Sequence, residues 1–144
     1  NDHAIGMYPS TCLFEGTALS IGRGTQNPFE IVGHPDLKGQ PYHFTPVSID
    51  SMSKEPPLKN KLCYGVDLRK EKLPRQVTLK YLIAMYKVFP DKNKFFTSYF
   101  DKLAGTPTLK EQIRAGKTEK QIRDSWKPEL DKFMAVRAKY LIYP

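Results

Sequence analysis

Lys61-Leu62-Cys63-Tyr64-Gly65-Val66-Asp67-Leu68 and, further on, Leu79-Lys80-Tyr81-Leu82-Ile83-Ala84-Met85-Tyr86-Lys87-Val88-Phe89 carry the change of period that decides the fold. The first stretch alternates imperfectly between apolar and polar residues and reads as a strand. In the second, Leu79, Leu82, Ile83, Tyr86 and Phe89 fall at i, i+3, i+4, i+7 and i+10. That is one apolar stripe of a helix, which Pro90 ends. Upstream of the switch, residues 28–32 and 42–49 are short, rich in aromatic and β-branched types, and bounded by Gly or Pro. They predict two more strands, with residues 51–60 and their Pro56-Pro57 as an exposed loop.

Downstream, helical spacing dominates. Phe96, Tyr99, Phe100 and Leu103 repeat the apolar stripe, and Gly105 suits a C-terminal cap. Thr108-Leu109-Lys110-Glu111 has the form of a capping box opening a short helix that stops at Gly116. Thr118-Glu119-Lys120-Gln121 is another, leading through Ile122 to Trp126. Pro128 suits the first turn of a separate last helix containing Leu130, Phe133, Met134 and Arg137. The closing Tyr140-Leu141-Ile142-Tyr143 is β-prone and is expected to return to the sheet. The fold class expected is α+β in one domain, 1–144. A small mixed sheet with structured loops occupies 1–75, and helices occupy 76–144.

The composition narrows the class. A chain of 144 residues with 40% hydrophobic and 26% charged residues is globular, which excludes disorder and collagen-like repeats. No apolar run approaches the ~18 residues a membrane-spanning helix needs. The net charge is +8, yet residues 1–50 hold two basic and five acidic residues, a net −3, so the remaining 94 carry +11. Those basic residues are interleaved with acidic ones at helical spacing, unlike a nucleic-acid arm. Cys12 and Cys63 are too far apart for a CxxC motif and sit among apolar neighbours; buried free thiols are the default, with a bridge open in an oxidising compartment. The opening Asn1-Asp2-His3-Ala4 has neither a basic n-region nor an apolar h-region. No signal peptide is expected within the chain, and a start of this kind is what a processed or excised fragment would show.

Most chemical motifs are absent from the sequence. His3, His34 and His43 lack HxxxH or HExxH spacing, so no zinc site is expected; with no Walker A sequence or EF-hand loop either, no cofactor is expected. Gly22-Arg23-Gly24 is too short for a dinucleotide fingerprint, and Ser10 and Ser20 lack a GxSxG context. One region stands out: Tyr8-Pro9-Ser10-Thr11-Cys12-Leu13-Phe14-Glu15-Gly16-Thr17, then Ser20-Ile21-Gly22-Arg23-Gly24-Thr25 and Asn27-Pro28-Phe29-Glu30. Apolar residues before Glu15 would raise its pKa towards the range of a general acid, unless Arg23 pairs with it and lowers it. Arg23, between two glycines, suits close backbone approach and two-pronged capture of a carboxylate or phosphate. Spacing alone leaves two readings: an internal Glu15–Arg23 ion pair fixing a glycine-rich loop, or an anion or sugar pocket.

Those same motifs resemble the signature of the bacterial exo-β-N-acetylmuramidase family, long known only as a domain of unknown function. The likeness continues through Gly33-His34-Pro35, Phe44-Thr45-Pro46, residues 61–68, Phe100-Asp101-Lys102-Leu103-Ala104-Gly105, and Trp126 with Arg137-Ala138-Lys139-Tyr140-Leu141, covering nearly all of the chain. The commoner family pattern has Trp after Gly-x-Pro, where Asp36 stands here. The resemblance implies a two-part enzyme of the bacterial cell envelope, periplasmic or secreted. Its N-terminal Rossmann-like domain would carry the main catalytic carboxylate, and this chain would be the C-terminal domain completing the cleft.

The implied reaction is removal of N-acetylmuramic acid from non-reducing ends of peptidoglycan fragments, in cell-wall salvage. On that basis Glu15 is the expected secondary carboxylate or a group orienting a sugar hydroxyl. Arg23 is the expected ligand of the lactyl carboxylate of muramic acid, with Gly24 beside it. Tyr8, Thr17 and Thr25 would bind sugar hydroxyls. The expected partners are a peptidoglycan-derived sugar and the chain's own N-terminal domain, with no nucleic acid and no membrane span. A non-catalytic carbohydrate or cell-wall binding module is the alternative. Nucleic-acid binding through the basic helices ranks third, because no aromatic-basic RNP or helix-turn-helix pattern is present.

Overall fold

The computed structural model describes residues 1–143. Where strands and loops were expected, the chain opens with helix α1 (Asp2–Thr11), its N-terminus capped by the Asn1 side chain, and passes directly into a short 3-10 helix, Cys12–Gly16. Three strands follow, β1 (Ile31–His34), β2 (Tyr42–Phe44) and β3 (Cys63–Asp67). The rest is helical: α2 (Lys80–Val88), α3 (Lys92–Phe95), α4 (Phe100–Ala104), α5 (Thr108–Arg114) and α6 (Glu119–Ala138). The class is α+β, as the change of period requires.

The sheet is ordered β1-β3-β2 and is antiparallel throughout rather than mixed. β1 and β2 run the same way, and the chain reverses once, in the 45–62 loop. β3 therefore enters the middle antiparallel to both. Gly33 pairs with Gly65 in register, and a Cβ on Gly65 would lie 1.8 Å from the Val32 carbonyl oxygen. The close approach of the two strands requires glycine there.

Strand boundaries moved for local reasons. The strand expected at 28–32 starts only at Ile31, because Phe29 takes a positive φ of 66° in a turn. The one expected at 42–49 stops at Phe44, two residues before Pro46 removes a ladder donor. The loop 17–20 is stitched between the sheet and the helical half. Ser20 and Gly33 exchange backbone hydrogen bonds, Ala18 donates to the Phe95 carbonyl, and Thr97 donates to that of Gly16.

The helical half keeps its expected stop signals. Gly105 and Gly116 both take left-handed conformations (φ 71° and 74°), and Thr118 with Gln121 forms a complete capping box. Three expectations need correction. Thr108 does not cap α5; it lies inside the first turn, and the Thr106 hydroxyl accepts its N–H instead. Pro128 does not start a new helix, since α6 runs unbroken through it. Residues 140–143 do not rejoin the sheet: Tyr140 and Tyr143 are each 80% exposed.

The core lies between sheet and helices. Met7, Phe14, Val32, Leu79, Leu82, Phe95, Phe100 and Ile122 are its most completely buried members. Phe95, Phe96 and Phe100 pack edge to face, with ring centroids 4.5–4.8 Å apart, against the 3-10 helix. A Cβ on Gly16 would sit 2.5 Å from the Phe100 Cα, so this contact fixes where the 3-10 helix lies. Glu15, its neighbour, is placed with it.

Candidate functional site

Glu15 lies on the 3-10 helix and Arg23 on a turn whose flanking glycines both need positive φ, 77° at Gly22 and 78° at Gly24. The two side chains meet. Arg23 Nε donates to Glu15 Oε1 at 2.8 Å, and Nη2 lies 2.7 Å from the same oxygen. Both contacts use one carboxylate oxygen, so this is not the parallel two-oxygen fork. Among the described residues, Arg23 Nη1 and Glu15 Oε2 have no hydrogen-bonding partner. Arg23 is 41% exposed and Glu15 23%, at the edge of the domain rather than in its core.

An aromatic pair extends the site. The Arg23 guanidinium lies over the Phe29 ring, 5.0 Å from its centroid, and Tyr8 meets Phe29 edge-on at 4.8 Å. Phe29 is held in its left-handed conformation by its N–H donating to the Ile21 carbonyl. Beyond it opens a recess of about 280 Å³ lined by Asn1, Ala4, Ile5, Tyr8, Pro28 and Phe29. Glu15, Arg23, Phe29 and Tyr8 thus form one continuous row, charged at one end and apolar at the other.

The remaining expected site residues have other places. Gly24 allows the 46–58 loop to close over it: its carbonyl accepts the Val47 N–H, and a Cβ would lie 2.5 Å from Pro56 Cγ. The Thr25 hydroxyl donates to the Gly22 carbonyl and accepts the Asn27 N–H, so it holds the Arg23 turn. Thr17 is buried, its hydroxyl donating to the Phe14 carbonyl and accepting the Leu19 N–H. These two hydroxyls shape the loop that presents Arg23, and Tyr8 is the exposed one of the three expected sugar ligands.

Sequence reasoning missed a second charged group. Glu30, almost wholly buried, accepts hydrogen bonds from Asn1 Nδ2 at 3.0 Å and from His3 Nδ1 at 2.7 Å. His3 Nε2 lies 2.9 Å from the Glu71 carbonyl oxygen. An acceptor against each ring nitrogen favours the protonated imidazolium. The Glu71 carbonyl, followed by Glu30, raises its pKa above the ordinary value. Sequence separations of 27 and 68 residues left no local signal.

A further cavity of about 450 Å³ lies between β3 and α2, with Tyr42, Val66, Tyr81 and Met85 among its walls. Both cysteines are free thiols. Burial pushes Cys63 up to about 11, and Cys12 is raised by the same cause. Among the described residues no group of three or more His, Cys, Asp or Glu side chains could hold a metal ion, and no helix is long and apolar enough to cross a membrane.

What fold and site define together is a small α+β domain that holds an arginine on a carboxylate beside an aromatic recess. The chain belongs to the family described as "Exo-beta-N-acetylmuramidase NamZ, C-terminal", whose model matches residues 6–143. It is 34% identical to a Bacillus subtilis (strain 168) protein named peptidoglycan beta-N-acetylmuramidase NamZ, over 95% of this chain and 37% of that protein. A solved DUF1343 family protein of Bacteroides fragilis superimposes with a TM-score of 0.89 at 42% identity, over 99% of this chain and 41% of that one. A second from the same organism shares the fold at a TM-score of 0.64 and 19% identity. The chain spans about two fifths of the length of these relatives.

Proposed function

We propose that this chain is the C-terminal part of a peptidoglycan exo-β-N-acetylmuramidase of the bacterial cell envelope, serving cell-wall salvage. In this reading it forms one wall of a sugar cleft whose principal acid lies on an N-terminal Rossmann-like domain. Membership of the family over nearly the whole chain supports the hydrolase class. The observation that carries the finer reading is the Glu15–Arg23 pair on a glycine-held turn.

Arg23 is the residue that tells muramic acid from glucosamine. The two sugars differ by a lactyl ether carrying a carboxylate, and a planar guanidinium recognises a carboxylate through two donors at once. Glu15 and the Phe29 ring hold Arg23 in place, so little side-chain freedom is lost on binding. Glu15 also supplies a second carboxylate near the sugar, which glycosidases commonly need, although some 2-acetamido sugars use their own acetamide as nucleophile. Tyr8 offers its exposed ring and hydroxyl at the other end of the row, while Gly24, Thr25 and Thr17 hold the loop that presents Arg23.

The test is product analysis. The complete gene product is incubated with peptidoglycan fragments ending in either N-acetylmuramic acid or N-acetylglucosamine, and the released sugar is identified by mass spectrometry. Release of N-acetylmuramic acid from non-reducing ends is expected, with none from the 144-residue chain alone. Turnover by the isolated chain, or equal release of both sugars, contradicts the proposal.

A further inference from the structure

The apolar stripe of α6 begins in the core and continues into water. Ile122 is fully buried and Trp126 partly so, and both pack against the main core. Leu130 and Phe133 continue the same helical face, at i+8 and i+11 from Ile122. Every residue from 127 to 143 is nevertheless exposed. Leu130, Phe133, Met134 and Val136 are each about half exposed (47–60%), and Ile142 is 87% exposed. Trp126, Leu130 and Phe133 also line a hollow of about 520 Å³ against Thr106 and Gln112.

At about 1.5 Å per residue, the exposed half of α6 reaches roughly 18 Å past its buried half. An unsupported helical extension of that length is marginal in water, and Pro128 removes one more of its hydrogen bonds. Eight large apolar side chains left exposed along one segment, Leu130, Phe133, Met134, Val136 and 140–143, mark an interaction surface. We propose that the face from Trp126 to Tyr143 is where the remaining polypeptide of the enzyme docks.

Two observations select that occupant. The chain accounts for only 37% of the Bacillus relative and 41% of the solved Bacteroides chain, so more than half of each lies elsewhere. A second copy of this chain is disfavoured because it would bring together two bodies of net charge +8. The inference rests on the two-part reading above, but not on the role given to Arg23.

The experiment introduces Phe133→Asp into the complete gene product, with Val136→Ser as a milder partner and Lys132→Asp as a control off the apolar face. Scanning calorimetry and hydrogen exchange are the readouts. Expected is one unfolding transition that Phe133→Asp splits in two, with exchange of the 129–138 amides faster by on the order of tenfold. Val136→Ser shifts both readouts the same way and less, while Lys132→Asp moves neither. No change in either apolar variant overturns the inference and leaves the two-part reading standing. A dimer in sedimentation that Phe133→Asp converts to monomer, with the transition unsplit, overturns it in favour of a second copy. A gene product without a further domain removes both readings.

Discussion

Removing the His3 imidazole should destabilise the domain in a pH-dependent way. Glu30 is the one charged side chain among the buried polar residues described, with 3% of its side chain accessible. Its two donors are Asn1 and His3, and His3→Ala leaves only the first. Losing a hydrogen bond to a buried carboxylate costs about 1.5–3 kcal/mol. For a domain between the usual small and large sizes, roughly 4 °C of Tm accompanies each kcal/mol, so a fall of about 6–12 °C is expected at low pH.

The pH dependence has a definite sign. The folded-state pKa of His3 lies above its unfolded value, so its contribution is complete below about pH 6.5 and is lost as pH rises through the folded value. His34 runs the other way, since burial lowers its pKa and its contribution fades as pH falls. It is common to wild type and variant, and the difference between them cancels it. Thermal unfolding of wild type and His3→Ala at about pH 5 and about pH 9 should show the larger gap at the acid end. A gap that is constant with pH, or larger at the alkaline end, refutes the imidazolium bridge.

Two further outcomes follow from packing. Gly65→Ala would force a Cβ to 1.8 Å from the Val32 carbonyl oxygen, so the central strand must move; a loss of about 3 kcal/mol or more is expected in urea unfolding. Wild-type stability in that variant contradicts the Gly33–Gly65 register. Cys63, buried with its thiol near 11, should resist a thiol-reactive dye at neutral pH until the chain unfolds, and Cys12 should label slowly. Rapid modification of Cys63 in the native state would be inconsistent with its burial.

Sequence patterns recovered much of what is decided locally, though not the Thr108 cap. The alternation in 61–68 and the stripe from Leu79 to Phe89 became β3 and α2, and Gly105, Gly116 and the Thr118 box ended or opened helices where their chemistry requires. Helix α1 escaped because Gly6 and Pro9 interrupt it and Met7 is its one large buried apolar side chain. Pro128 misled for the opposite reason: Ile122 and Trp126 anchor the first turns of α6 on the core, and the capped helix carries on through one missing donor.

The site divides in the same way. Glu15 and Arg23 are eight residues apart on a glycine-rich stretch, and their pairing was one of two readings open from spacing. The Phe29–Tyr8 contact depends on a left-handed residue that no alternation reveals. The inward turn of Thr17 depends on the 3-10 helix packing onto α4, which brings together residues 84 apart, Gly16 and Phe100.

The proposed recognition of muramic acid turns on Arg23. Arg23→Lys in the complete gene product keeps the positive charge and loses the two-donor fork, so steady-state kinetics on matched muramic and glucosamine substrates isolate the carboxylate contact. The predicted result is a fall in kcat/KM on the order of 10- to 100-fold for the muramic substrate, with the glucosamine substrate changed far less. Equal losses on both would show that Arg23 only holds the loop with Glu15, and would contradict the proposed recognition of muramic acid.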